Sequence, residues 1–178
     1  MIEKRINQHG NLGVFALEII PQGTVIIYKW NEDFYKEMEG WVHLTVAEVL
    51  MLPDWQQDLF YRYGLDEDFD KIAGPLDITY VTTTDNYINH ACDPNLHFDS
   101  QGNVITSRKI EKDEELFIDY GCFTVNFDEN FQCCCGSERC RGRVTKNDWI
   151  DLAFKYGYNM PKFLHQHIKG VLNGRKDF

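Results

Sequence analysis

The sequence predicts a mostly β fold with a helical insert at about residues 43–64 and a helical C-terminal tail. Three observations carry this expectation. Short runs rich in β-branched and aromatic residues open the chain and return after residue 76. Between them lies one stretch with helix-start and helix-stop signals, and another such stretch follows residue 144. Strands and helices do not alternate from the start, which excludes a doubly wound nucleotide-binding fold.

The opening strands are Gly13–Ala16 and Thr24–Trp30, separated by the turn residues Pro21-Gln22-Gly23. Thr45 and Glu48 have capping-box spacing ahead of an apolar stretch that ends at Pro53. Asp54 is a candidate cap for a second helix, with Trp55, Leu59 and Tyr63 along one side and Gly64 as its stop. Tyr80–Thr84, Val104–Ser107 and Leu116–Asp119 are β-prone. Thr145 and Asp148 form a second candidate capping box, and Trp149, Leu152, Ala153 and Tyr156 follow at helical spacing, with Gly157 as the stop. Pro161 and Gly170 bracket a last short helix.

At 178 residues the chain has room for one domain with a core. No apolar run approaches bilayer-spanning length, and no apolar segment follows Met1-Ile2-Glu3-Lys4-Arg5, which points to an intracellular, soluble protein with no membrane partner. The net charge of −10 is unevenly spread, with +6 over residues 139–178 and −16 over the rest. Such an acidic body repels phosphate backbones and favours basic ligands, an expectation against direct nucleic-acid binding.

Four of the six cysteines, Cys133, Cys134, Cys135 and Cys140, fall within eight residues. In a reducing compartment, Cys133-x-Cys135-x4-Cys140 reads as three corners of a tetrahedral zinc site, with Cys134 pointing away. The fourth ligand is open between Cys92, Cys122 and a histidine. His90 and Cys92, two apart, could instead be a base and a thiol nucleophile. Tyr120, at a strand end before Gly121, could aim its hydroxyl into a cleft or be a core tyrosine.

Together, Asn89-His90-x-Cys92-x-Pro94-Asn95, Glu115-Leu116-x-x-Asp119-Tyr120-Gly121 and the Cys-x-Cys-Gly-x3-Cys-Arg-Gly run from Cys133 to Gly142 resemble the SET domain with its post-SET tail. Gly13-Val14-Phe15-Ala16-x3-Ile20-Pro21-x-Gly23 resembles the family's first glycine motif, so the likeness covers residues 10–142 in order. It implies small curved antiparallel sheets with a pseudoknot formed by the segments around 89 and 120. It implies a SET domain over 1–122, a zinc-binding segment over 123–144 and a helical extension over 145–178. The implied activity is S-adenosylmethionine-dependent methylation of a lysine amine on a basic protein segment. The alternatives are a silent peptide-binding module and a small-molecule amine methyltransferase. By the same resemblance, Tyr120 and Tyr28 are catalytic and Ile118 lines the lysine channel. Asn11, Leu12, Gly13, Tyr87, Asn89 and His90 contact the cofactor. Cys92 joins Cys133, Cys135 and Cys140 on a structural zinc.

Overall fold

The computed structural model describes residues 1–30, 38–128 and 132–174. The strands are β1 (Ile2–Ile6), β2 (Leu12–Ala16), β3 (Val25–Ile27), β4 (Trp41–Leu44), β5 (Leu65–Asp68), β6 (Lys71–Pro75), β7 (Asn89–His90), β8 (Leu96–Phe98), β9 (Val104–Thr106) and β10 (Glu115–Ile118). The α-helices are α1 (Val46–Leu50), α2 (Asp54–Tyr63), α3 (Asp148–Tyr156) and α4 (His165–Gly174). Three small sheets result, ordered β1-β2-β10-β7, β3-β9-β8 and β4-β6-β5. This is the mostly β, helix-decorated architecture that the sequence predicts.

Among the described residues, strand pairing is antiparallel except in one place. β10 runs antiparallel to β2, with Leu116 opposite Val14, and parallel to β7, with Phe117 opposite Asn89 and Ile118 opposite His90. That parallel pair joins segments far apart in sequence and brings together the two motifs around residues 89 and 120. Val14, Ala16, Leu96, Phe98, Val104 and Leu116 form the centre of the core. Trp149, Leu152, Ala153, Met160, Leu164 and Ile168 of the C-terminal segment pack into that same core. Burial of this much apolar side chain, at about 1.5–3 kcal/mol each, is what docks the tail.

Several local expectations need correction. The insert is not purely helical: it opens with β4, runs through α1 and α2, and returns as the β5–β6 hairpin. The Thr45–Glu48 capping box is formed in both directions. Asp54, however, is the first helical residue of α2, and Pro53 holds the cap position without a side-chain bond. Leu59 and Phe60 face inward on α2, while Trp55 is 57% exposed. The β-prone Tyr80–Thr84 is not a strand. Asp77 accepts bonds from both the backbone and the hydroxyl of Thr79, which winds Ile78–Tyr80 into a 3₁₀ turn. The strand expected over Thr24–Trp30 is only Val25–Ile27, because Lys29 takes a positive φ of 47° and turns the chain. Thr145 does meet Asp148, at 2.6 Å, but α3 begins at Asp148 itself and its cap is Asn147. Gly157 ends α3 at φ 57°, as expected, whereas Gly170 lies inside α4.

Candidate active site and cysteine cluster

The centre of the site is the short turn after β10. Asp119, 1% exposed, accepts the amide of Gly121 at 3.0 Å and so winds Tyr120–Cys122 into a single 3₁₀ turn. This sets Tyr120 beside β7. Its amide donates to Nδ1 of His90 at 3.1 Å, and its hydroxyl donates to the carbonyl of Ile88 at 2.8 Å. Burial holds the His90 ring below its ordinary pKa despite the opposing pull of Asp119. The ring is therefore neutral near pH 7, and with Nδ1 accepting, its proton sits on Nε2. Nε2 faces the sulfur of Cys92 at 3.3 Å.

On one side of β10 lies a polar nook. Asn89 donates from its side-chain amide to the carbonyl of Leu12 at 2.9 Å and to Oε1 of Glu115 at 2.9 Å. Asn7 donates to the same Glu115 oxygen at 3.2 Å. Gly13 is a glycine because a Cβ there would stand 2.2 Å from that oxygen. Asn11 closes the β1–β2 turn, its amide held by the side chain of Asn7 at 3.1 Å. Tyr87 sits on the neighbouring Asp85–Tyr87 turn, edge-on to Tyr63 at 5.8 Å, with the Lys4 ammonium 4.3 Å from its ring centre. The structure thus gathers Leu12, Gly13 and Asn89 into one contact set, with Asn11 and Tyr87 at its edge.

On the other side opens a cleft. Ile27, Trp30, Ile88, Ile118, Tyr120 and Phe123 line it from the core, and Phe60, Tyr63, Leu65 and Asp66 from the insert. Ile118 is 3% exposed and lies in this wall, two residues before Tyr120. Asp66 accepts the amides of Val125 at 2.6 Å and Asn126 at 3.0 Å, while burial raises its pKa above the usual carboxylate value. Tyr28 is placed differently from its neighbours. It is 69% exposed, has the Lys29 ammonium 5.7 Å from its ring centre, and does not line the cleft.

The sulfurs of Cys92, Cys133, Cys135 and Cys140 all lie within 4.8 Å of one another. Cys92 and Cys133 are 3.8 Å apart, which matches the edge of a tetrahedron with zinc–sulfur bonds of about 2.3 Å. Main-chain amides of Arg141 and Gly142 point at Cys92 and Cys140, each at 3.4 Å, as donors to thiolates do. Burial pushes the Cys135 thiol up, but donors from Cys92, Ser137, Cys133 and Cys140 outweigh it and bring it down to about 7. The donor set fits zinc. Cys134 is exposed and Cys122 is buried elsewhere, its thiol raised well above the ordinary value by burial.

Two residues with evident work at this site carried no assigned role in the sequence reading. Glu115 anchors the polar nook, and Arg141 bridges the cysteine loop to Asp119 at 2.6 and 2.7 Å. Both stand within motifs, Glu115 as the first residue of its own and Arg141 in the Cys-Arg-Gly that ends the cysteine run. Among the described residues no helix is long and apolar enough to cross a membrane.

Residues 11–121 match the model of the SET domain. The chain is 31% identical over 118 residues to histone-lysine N-methyltransferase ASHR3 of Arabidopsis thaliana, covering 61% of this chain and 22% of that protein. It is 28% identical to methyltransferase flvH of Aspergillus flavus, over 51% of this chain and 50% of flvH. With human histone-lysine N-methyltransferase SETD1A it shares 28% identity over 74% of its own length, but only 7% of SETD1A. The chain thus spans half or less of the length of each of these relatives. With the matched region covering most of the described sheets and both halves of the site, the chain belongs to the SET domain family.

Proposed function

We propose that this chain transfers methyl groups from S-adenosylmethionine to a lysine side-chain amine in a basic protein segment. One observation carries the reading. The Tyr120 hydroxyl rests on the carbonyl of Ile88, the residue before Asn89, so a polar pair stands between the polar nook and the apolar core wall of the cleft. The relatives named as histone-lysine N-methyltransferases support a protein substrate, and the acidic body of the chain favours a basic one.

When bound, S-adenosylmethionine supplies an activated methyl on a sulfonium, so the transfer itself needs no metal. Asn89, Leu12 and Gly13, with Asn11 and Tyr87 beside them, hold the cofactor side. A lysine amine carries a proton near pH 7 and is not a nucleophile until it loses it. The apolar wall of Ile88, Ile118, Trp30 and Phe123 disfavours the ammonium and lowers its pKa. The Tyr120 hydroxyl and Ile88 carbonyl then orient the free amine for in-line attack while the walls exclude water. Cys92, Cys133, Cys135 and Cys140 would hold zinc in a structural role, folding residues 132–143 against the site.

The decisive measurement is transfer of labelled methyl groups to histones and ribosomal proteins, with a lysine-free protein as control. Wild-type chain is expected to label only lysine-containing acceptors. Tyr120→Phe should lose most of that labelling, yet bind cofactor within roughly tenfold of wild type. Cofactor binding without transfer to any acceptor would favour a silent binding module, and labelling of free amines alone would favour a small-molecule enzyme.

A further inference from the structure

The Arg141 side chain crosses from the cysteine loop to the turn that carries Tyr120. It follows Cys140 directly, and its own main-chain amide donates to the sulfur of Cys92. Its guanidinium grips Asp119 with two parallel bonds, Nη1 to Oδ2 at 2.7 Å and Nη2 to Oδ1 at 2.6 Å. Its Nε reaches Asp148 at the start of α3, at 2.9 Å. Three separate parts of the chain therefore meet on one side chain. Lysine could not replace it, since an ammonium cannot offer this planar fork.

The grip acts on the backbone next to Tyr120. Asp119 is 1% exposed, and its Oδ1 is the oxygen that caps Gly121 and closes the 3₁₀ turn. A buried carboxylate needs hydrogen-bond partners in place of water, and bidentate Arg141 supplies two. Gly121 shows how closely the parts approach. A Cβ there would lie 2.9 Å from Arg141 Nη2, 2.8 Å from Asp148 Cβ and 3.0 Å from Leu152 Cδ1. The guanidinium is laid against the turn with no room for even a methyl group. On the opposite side the turn is held by His90, whose other nitrogen faces Cys92. Both supports thus end on the cysteine cluster.

We propose that Arg141 is a positioning residue that couples the metal-binding cysteine loop to the orientation of Tyr120. The loop then does more than cover the site: it sets the backbone from which the tyrosine hydroxyl is aimed. The kinetic part of this inference rests on Tyr120 acting in methyl transfer, while the structural coupling does not.

The test uses the full zinc-loaded chain with Arg141→Lys, Arg141→Ala and the charge-neutral pair Asp119→Asn/Arg141→Gln, the last as a fold-preserving control. For Arg141→Lys, zinc content and cofactor affinity should stay near wild type. Its kcat should fall about 10- to 100-fold with little change in KM, the size expected when a reacting group is misplaced by about an ångström. Amide exchange at Tyr120, Gly121 and Cys122 should speed up, while Val14 and Leu116 remain protected. Added guanidinium should restore kcat to Arg141→Ala, and methylammonium should not. The neutral pair, which keeps hydrogen bonds across the junction, should exchange more slowly at these amides than Arg141→Lys.

Unchanged turn exchange in zinc-loaded Arg141→Lys would overturn the coupling. So would zinc loss or exchange rising across the whole core, either of which makes Arg141 a general staple. If wild type transfers no methyl group, the functional reading fails on its own, and the exchange pattern still decides the coupling.

Discussion

Gly13→Ala tests the polar nook at its tightest point. The added Cβ would stand 2.2 Å from Glu115 Oε1, 2.9 Å from Glu115 Cδ and 3.1 Å from Asn89 Nδ2. The backbone at Gly13 does not have a positive φ, so the substitution is opposed by space alone. Glu115 can swing away, but only by giving up the amides of Asn7 and Asn89. Hydrogen bonds to a charged group are worth about 1.5–3 kcal/mol each when buried, and half-burial of Glu115 reduces the sum to roughly 2–3 kcal/mol. In a chain of this size that is a fall in Tm of roughly 5–10 °C. Asn89 is left with Leu12 alone, so cofactor affinity measured by calorimetry should also drop. Glu115→Ala removes the obstruction, and Gly13→Ala added to it should therefore cost little more. Two results would refute the reasoning: a Gly13→Ala chain that melts and binds like wild type, or a penalty that persists in full on top of Glu115→Ala.

Other perturbations probe separate parts of the molecule. Cys92→Ser should lower bound zinc below that of the wild-type chain, and elemental analysis finding equal zinc would remove Cys92 from the cluster. Glu114 is a carboxylate on which burial acts upward, but Arg108, the Glu111 amide and Asn95 outweigh it and hold the pKa below 4.5. Its stabilising contribution is therefore present above pH 4.5 and is lost as pH falls through the lowered folded value. Glu114→Gln should flatten that acid limb, and denaturant midpoints measured across the limb would report it. Ile118 is apolar and lies in the cleft wall beside Tyr120; on the proposed function, that wall would leave space for a methylated amine to turn and react again. Intact-mass analysis with excess cofactor should show multiple methylation, and Ile118→Tyr should shift the product toward monomethyl.

Patterns confined to a few neighbouring residues were legible in the sequence. The β-prone run from Leu116, the helical spacing of α3 and the Cys133-x-Cys135-x4-Cys140 triplet each depend on local geometry, and each is found in the structure. What depends on distant contacts was not. β5 is Leu-Asp-Glu-Asp, which reads as a solvated acidic run. It is a strand because it pairs antiparallel with β6, and Asp66 turns inward from it to accept two amides from Val125 and Asn126. β7 is two residues long and has no period to detect; only its parallel partner makes it a strand. Tyr28 shows the converse case. A motif position located it, but the turn at Lys29 leaves its ring exposed, away from the cleft. The pairing of Arg141 with Asp119 likewise needs the cysteine loop to fold back across 22 residues.

The period of a strand also explains why the site has two chemically different sides. Successive side chains of an extended chain point to opposite faces, and β10 shows the alternation as half-buried Glu115, buried Leu116, half-buried Phe117 and buried Ile118. Odd positions therefore serve one face, and Glu115 meets Asn89 and the backbone of Gly13 there. Even positions serve the other, where Ile118 and then Tyr120 enter the cleft wall. With β2 on one edge and β7 on the other, the strand cannot shift by one residue without exchanging these faces, which would place a carboxylate in the core. The register that buries Leu116 is thus the same register that keeps Glu115 off the face that carries Ile118. The proposed methyl transfer would use that separation: one side would satisfy the polar groups of the cofactor, and the other would favour the neutral form of the amine.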